Sequence, residues 1–363
     1  MTFVTPPVTT TTPSRSRPSS SFEAGSLRRP HHLAIVAGAV ALGALSWLVQ
    51  GTSPNWARWV VVTLLAYCVA IYVVSRMVEG TRHATDRLAT AVMTSAFCLV
   101  LLPLVSVVWT VVQRGWARMD STFFTESMRG VISEGGGAWH AIVGTLIVTG
   151  LAAVMSVPFG LFTAIYLVEY GTGRLARAIT AMVDVMTGIP SIVAGLFAYA
   201  LFVMWQGPGA RSGLAGAVAL TVLMTPVVIR SAEEMLRLVP NELREASYAL
   251  GVPKWKTIVR VVLPTAIAGI LTGVTLAIAR VIGETAPLLV TAGLAQDTNL
   301  NPLSGRTTTL PVYAYYSYAQ PGVPPANGLD RAWAAALTLL IVVAILFTLA
   351  RILAKILKPK GLR

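Results

Sequence analysis

Residues 231–264 read SAEEMLRLVPNELREASYALGVPKWKTIVRVVLP, a polar and amphipathic stretch set between two long apolar runs. Pro240 and Asn241 can open a short helix here, because proline suits the first helical turn and asparagine suits a cap. Gly251 stops it, as glycine does where a chain turns left-handed after a helix. Pro253 can open the next one. Between these markers Leu243, Ala246, Ser247 and Leu250 recur at spacings of three and four, which puts them on one face. The product is a turn-sized knob with a narrow face of apolar and small residues.

Outward from this segment the chain is too apolar for water. Hydrophobic residues make up 55% of its 363 positions and charged residues only 12%, with a mean hydropathy of +0.70, whereas soluble domains carry about 25% charged residues. Eight apolar stretches are long enough to cross about 30 Å of hydrocarbon as helices. They lie near 33–50, 59–75, 88–112, 139–168, 178–205, 214–230, 265–292 and 332–356. The fourth and fifth exceed the length of a span, so part of each must tilt or emerge. The fold expected is therefore an all-α polytopic membrane protein.

Orientation follows from the basic residues, which favour the cytoplasmic side of short loops. With a cytoplasmic N-terminus, twenty of the 28 Lys and Arg residues face the cytoplasm and seven face outward. The last, Arg280, falls inside an apolar run. Both termini are then inside. The formal net charge of +13 is explained by this distribution; no aromatic-basic stripe or nucleic-acid module accompanies it, which argues against nucleic acid as a partner. Cys68 and Cys98 both sit in apolar runs and give neither a disulfide framework nor a metal cluster. Residues 1–30, rich in Thr, Ser, Pro and Arg, read as a disordered cytoplasmic tail. Arg28-Arg29 resembles a twin-arginine export signal, but the many spans that follow favour a charge anchor.

Charge within the membrane points to function. Arg280 lies about fifteen residues, roughly 22 Å, into the seventh span, where a charge costs about 2.5–3.5 kcal/mol. Glu284 follows one turn later, and Gly269, Gly273 and Ala277 precede at steps of four. Such a small-residue stripe lets another helix approach closely. In one reading Arg280 and Glu284 neutralise each other and lock packing. In the other, Arg280 offers two parallel hydrogen bonds to a passing oxyanion, and Glu284 holds it or limits how tightly the anion binds.

The spacing Glu245-Ala246-Ser247, Gly251, Val261, Leu263-Pro264 resembles the EAA loop of ABC importer permeases, departing only by Ser for the second Ala and Val for Ile. The resemblance implies that Glu245, Ala246, Ser247, Gly251, Leu263 and Pro264 belong to a coupling helix that docks in a groove of a cytoplasmic ATPase. AIARVIGETAPLLVTAG, TPVVIRSAEEMLRLVPNELREASYALGVPKWKTI and DVMTGIPSIVAGL resemble the phosphate-transport permeases of the Pst system, the PstA-type subunit more than its partner. In that family the matching Arg280, Glu284 and Arg230 are implicated in phosphate passage. Arg230 reads equally well as a snorkelling anchor at the cytoplasmic end of its span.

The resemblance covers about residues 88–357. It implies a type I ABC importer core of six transmembrane helices, with two extra N-terminal transmembrane helices at 31–87 and a basic cytoplasmic tail at 358–363. It further implies a PstC-type second permease subunit, a PstB-type ATPase dimer using ATP-Mg, and a PstS-type extracytoplasmic phosphate-binding protein. This chain lacks the G-x-x-x-x-G-K-[ST] phosphate-cradling loop, so it is expected to bind no cofactor and to be no enzyme on its own.

Weaker features complete the reading. Gly135-Gly136-Gly137 suits a flexible outer loop better than a phosphate cradle. Pro190 should kink the fifth span, and Asp184 suits a polar packing contact or a place along the path. The four histidines lack metal-ligand spacing. The Pro- and Tyr-rich segment 293–330 could receive a binding protein. Competing functions are import of another oxyanion (sulfate or molybdate), an ion-gradient-driven carrier, and a scaffold or sensor without transport.

Overall fold

The structure, a computed structural model, describes residues 29–48, 56–132 and 134–357. The expected tails at 1–28 and 358–363 lie outside these. Every regular element among the described residues is helical. In order they are α1 (Arg29–Leu48), α2 (Trp56–Val78), α3 (Thr81–Gly115), α4 (Ser121–Thr125), α5 (Trp139–Ile165), α6 (Arg174–Thr187), α7 (Ser191–Gln206), α8 (Gly213–Arg237), α9 (Asn241–Ala249), α10 (Lys254–Thr257), α11 (Leu263–Val281), α12 (Ala286–Thr291), α13 (Leu310–Ala319) and α14 (Pro325–Leu357).

Among the described residues six helical stretches are long and apolar enough to cross a membrane: Trp56–Val78, Thr81–Arg118, Trp139–Tyr170, Gly213–Arg237, Lys254–Val281 and Pro325–Ile356. The bent pair α6–α7 makes a seventh crossing if counted as one. The first expected span, 33–50, coincides over 33–48 with the 20-residue helix α1, and 49–50 lie outside the described residues. Of the two extra N-terminal spans expected, α2 has the length and hydropathy of a crossing.

The chain divides into two compact units, 1–107 and 108–363, and the division falls inside the unbroken helix α3. In the first unit Ile35, Ile71 and Ala91 form a small core, and the nearly buried Glu79 carboxylate accepts from Arg87 and Ser75.

In the second unit α8 is the central post. Its apolar face packs Leu220, Met224 and Val228 against Val148 and Ala152 of α5, Ala277 and Val281 of α11, and Leu288 of α12. In its most apolar window 61% of residues are buried, against 11% for α14. Outer helices thus present Leu, Ile, Val and Phe outward, which is stable in lipid and not in water. The small-residue stripe of α11 meets α8 directly: a Cβ on Gly273 would sit 2.5 Å from Ser231 Cβ, so only glycine allows this approach.

Candidate functional site

The knob forms as expected, with differences that matter. α9 covers Asn241–Ala249, with Pro240 in the cap position and Asn241 as the first helical residue. Asn241 therefore does not cap; its side-chain Oδ1 accepts from Arg244. Gly251, at φ +72°, closes the C-terminus, and the Gly251 and Val252 amides donate to the Tyr248 and Ser247 carbonyls. Leu243 and Ala246 are exposed, and Leu250 is 83% exposed, so the narrow face points away from the bundle.

Ser247 does not share that face. It is buried, and its hydroxyl hydrogen-bonds the fully buried Thr257 hydroxyl at 2.8 Å. The serine that departs from the EAA pattern thus ties α9 to α10. Leu263 packs inside, against the core of Leu236, Val262 and Ala266.

Arg244, which the sequence reading passed over, fixes the knob to the bundle. Its guanidinium donates to Glu169 Oε1 (3.0 Å, with a second ion-pair contact at 2.9 Å), to the Val239 carbonyl (2.6 Å) and to the Leu236 carbonyl (3.0 Å). Both side chains are largely shielded, Arg244 at 12% and Glu169 at 5% exposure. Glu169 belongs to a wide π-type turn, Tyr166–Tyr170, at the end of α5, and a second such turn, Ile258–Val262, follows α10. Such turns are uncommon and occur often at functional sites. Short polar links therefore join the knob to the end of α5 through Glu169 and to α10 through Thr257.

Two of the expected spans are broken. The stretch 178–205 is not one kinked helix: α6 and α7 meet at 107°. Proline at 190 has no N–H to give and restricts Ile189 before it, and Gly188 ends α6. The stretch 265–292 also parts, with α11 ending at Val281 and α12 starting at Ala286. Pro287 cannot donate to the Gly283 carbonyl, so the helix cannot run through.

Arg280 consequently lies in the last turn of α11 and Glu284 in the break beyond it, not one turn apart on one helix. The two form no ion pair among the described residues. They meet instead across a cavity of about 190 Å³, lined by Thr187, Ile189 and Ser191 from the first break, Arg280, Val281 and Glu284 from the second, and Pro226 of α8. Pro226 is thirteen residues into the 25-residue α8, so the cavity sits near the middle of the bundle. Non-helical backbone at that depth is tolerated where it is buried or lines a cavity. α7 begins at the cavity with Ser191, adding the positive end of its dipole to the Arg280 charge.

Arg230 lies one turn beyond Pro226 and Val227 on α8. Its guanidinium donates to Asp184 and, at 2.9 Å, to Glu233, which also accepts from Arg237 at 2.6 Å. It is held by carboxylates rather than anchored outward. Asp184, Glu233 and Arg237 line a second cavity of about 410 Å³ toward the knob end. Glu233 was legible from its spacing of three and four to Arg230 and Arg237.

The Gly135–Gly137 loop is ordered the opposite way from a phosphate cradle. The Gly136 and Gly135 carbonyls accept from Arg118 and Arg331, both at 3.1 Å. The outer segment holds α13 and a hydrogen-bonded loop in which Thr308 Oγ1 bonds the Ala295 backbone.

Residues 156–361 match the family model of binding-protein-dependent transport system inner membrane components. "Phosphate transport system permease protein PstA 1" of Mycobacterium tuberculosis (strain CDC 1551 / Oshkosh) is 51% identical over 275 residues, 75% of this chain and 89% of that protein. "Phosphate transport system permease protein PstA" of Mycobacterium leprae is 48% identical over 277 residues, 75% of this chain and 89% of that one. The protein of the same name from Yersinia pestis is 37% identical over 279 residues, 77% and 92% of the two chains. The chain belongs to the family of binding-protein-dependent transport system inner membrane components, among its PstA-type permeases.

Proposed function

We propose that this chain is the membrane-spanning permease of an ATP-driven importer of inorganic phosphate, forming half of the translocation path. The observation that carries the reading is Arg280 at the joint of two broken helices, exposed on this chain to a mid-bundle cavity. A guanidinium there can take a tetrahedral oxyanion with two parallel hydrogen bonds. Glu284 opposite keeps the site from binding too tightly to release. Arg230, under the cavity and clasped by Asp184 and Glu233, would take the anion next when those carboxylates let go. Phosphate rather than another oxyanion is favoured by the relatives' names.

Energy enters from a separate pair of ATPase subunits through Leu243, Ala246 and Leu250, while Ser247, Arg244 and Glu169 carry the stroke to α5, α8 and α11. A second permease subunit would close the open side of the cavity, and an extracytoplasmic receptor would deliver phosphate. The setting is a bacterial inner membrane with both termini in the cytoplasm. Residues 88–357 form the permease domain on this reading, with the coupling loop at 231–264.

The test is uptake of labelled phosphate by the assembled complex in proteoliposomes. Arg280→Gln should abolish uptake while ATP hydrolysis persists, and Arg280→Lys, which keeps the charge but not the fork, should retain part of it. Full uptake by Arg280→Gln, or uptake without ATP on an ion gradient, would overturn the proposal.

A further inference from the structure

A third polar pocket lies at the end of the bundle opposite the knob, and the translocation path described above does not use it. It is formed where the start of α5, the segment 294–296, α13 and the start of α14 converge, and it encloses about 170 Å³. Three of its polar side chains are more than nine-tenths buried: His140 at 3% exposure, Tyr313 at 4% and Arg331 at 7%. Ser317 and the exposed Gln320 complete the polar lining toward the mouth.

Buried polar groups are normally hydrogen-bonded. Here His140 Nδ1 has no partner, and the Tyr313 hydroxyl, with Ser317 as its polar neighbour, closes no hydrogen bond of normal geometry. The two rings stand edge to face at 5.3 Å, so the ring of one sets the position of the other. Arg331 donates to the Gly135 carbonyl at 3.1 Å and brings a buried guanidinium charge to the lining. Burial holds the Tyr313 phenol above its usual range, against the pull of Arg331 and Arg118, so its hydroxyl stays a donor. No carboxylate lines the pocket. Asp297, near enough for His140 to feel its charge, is paired with Arg129 at 3.1 Å.

Sign and size define the ligand. Donors and buried cationic charge without a lining carboxylate select an anion. The volume exceeds the roughly 30 Å³ that one water occupies in the liquid and falls short of the roughly 300–1,000 Å³ of pockets for drug-sized ligands. A tetrahedral oxyanion of five heavy atoms fits between these limits.

We propose that His140, Tyr313 and Arg331 form an oxyanion site at the outer end of the permease, a waiting position for phosphate before it enters the path to Arg280. The identity of the anion rests on the phosphate-importer reading; the existence of the site does not.

The experiment is equilibrium binding of ³³P-labelled inorganic phosphate to the full chain in lipid nanodiscs, with sulfate as competitor, in an Arg280→Gln background that removes the mid-bundle site. One phosphate should bind per chain. Tyr313→Phe, which deletes one oxygen and keeps the ring, should weaken it about tenfold, as losing a hydrogen bond to a charged ligand does. Arg331→Gln should abolish it, and Arg331→Lys should restore part. A thermal melt identical to the parent's shows that Tyr313→Phe is folded. Unchanged phosphate binding in Tyr313→Phe and Arg331→Gln, or none in the Arg280→Gln parent, overturns the site. Sulfate bound as tightly as phosphate and lost with Arg331 supports the oxyanion site while defeating the phosphate reading, so the two fail separately.

Discussion

Replacing Arg244 by methionine tests how the knob is joined to the bundle. Methionine keeps the unbranched stem and removes the charge. The change leaves the Glu169 carboxylate, 5% exposed, without the hydrogen bond it accepts at 3.0 Å and the ion-pair contact at 2.9 Å, and takes a charged donor from the Leu236 and Val239 carbonyls. Removing one partner of a buried pair costs about 3–5 kcal/mol. The site is nearly but not wholly dry, so we take about 3 kcal/mol. The loss is local, because the rest of the bundle is held by the α8 core, and it should emerge as opening of residues 239–252.

At about 1.4 kcal/mol per decade, amide exchange there should accelerate roughly a hundredfold, while amides of α8 around Leu220 keep their protection. Phosphate moved per ATP hydrolysed should fall in step, since a loosened knob can turn without pulling α5. Adding Glu169→Gln removes the stranded charge, so the double variant should recover about 1–3 kcal/mol relative to the sum of the singles. Unchanged exchange at 239–252, or singles that simply add, would refute the argument that this buried pair transmits the stroke.

Other positions give sharper local tests. Ser247→Ala restores the family's usual residue, yet it strands the buried Thr257 hydroxyl and should cost about 1–3 kcal/mol in thermal melts, with Ser247→Ala/Thr257→Val recovering most of it. Gly251→Ala meets no atom within 4 Å, so its penalty is purely the left-handed backbone, about 1–2 kcal/mol, read as weaker ATPase co-purification. Gly273→Leu must push α11 away from Ser231 and should destabilise by about 1–3 kcal/mol in detergent melts.

Much of this was legible because membrane spans and turn residues write local signals. The apolar runs, the knob bounded by Pro240 and Gly251, and the α11 glycine stripe all depend on residues within a few turns of one another. Pro190 and Pro287 carried the two breaks, but an apolar run reads the same whether straight or bent by 107°, and Pro287 was passed over inside a continuous hydrophobic stretch. That error placed Arg280 mid-helix and paired it with Glu284. The links that hold the site together span long sequence distances: Glu169 to Arg244 is 75 residues and Asp184 to Arg230 is 46. No periodicity reports such pairs. Ser247 misled for a different reason, since a small residue at helical spacing can face either the outside or a buried hydroxyl.

The central claim is that the face carrying Leu250 seats in an ATP-driven subunit. The direct measurement is cysteine accessibility in the assembled complex, with Cys68 and Cys98 replaced and Leu250→Cys introduced. In the isolated chain, where Leu250 is 83% exposed, maleimide should label it quickly. In the complex labelling should be blocked, and a bifunctional reagent should join this cysteine to the ATPase subunit with a yield that changes on ATP binding. A cysteine that labels as fast in the complex as alone, and joins to nothing, would contradict the account.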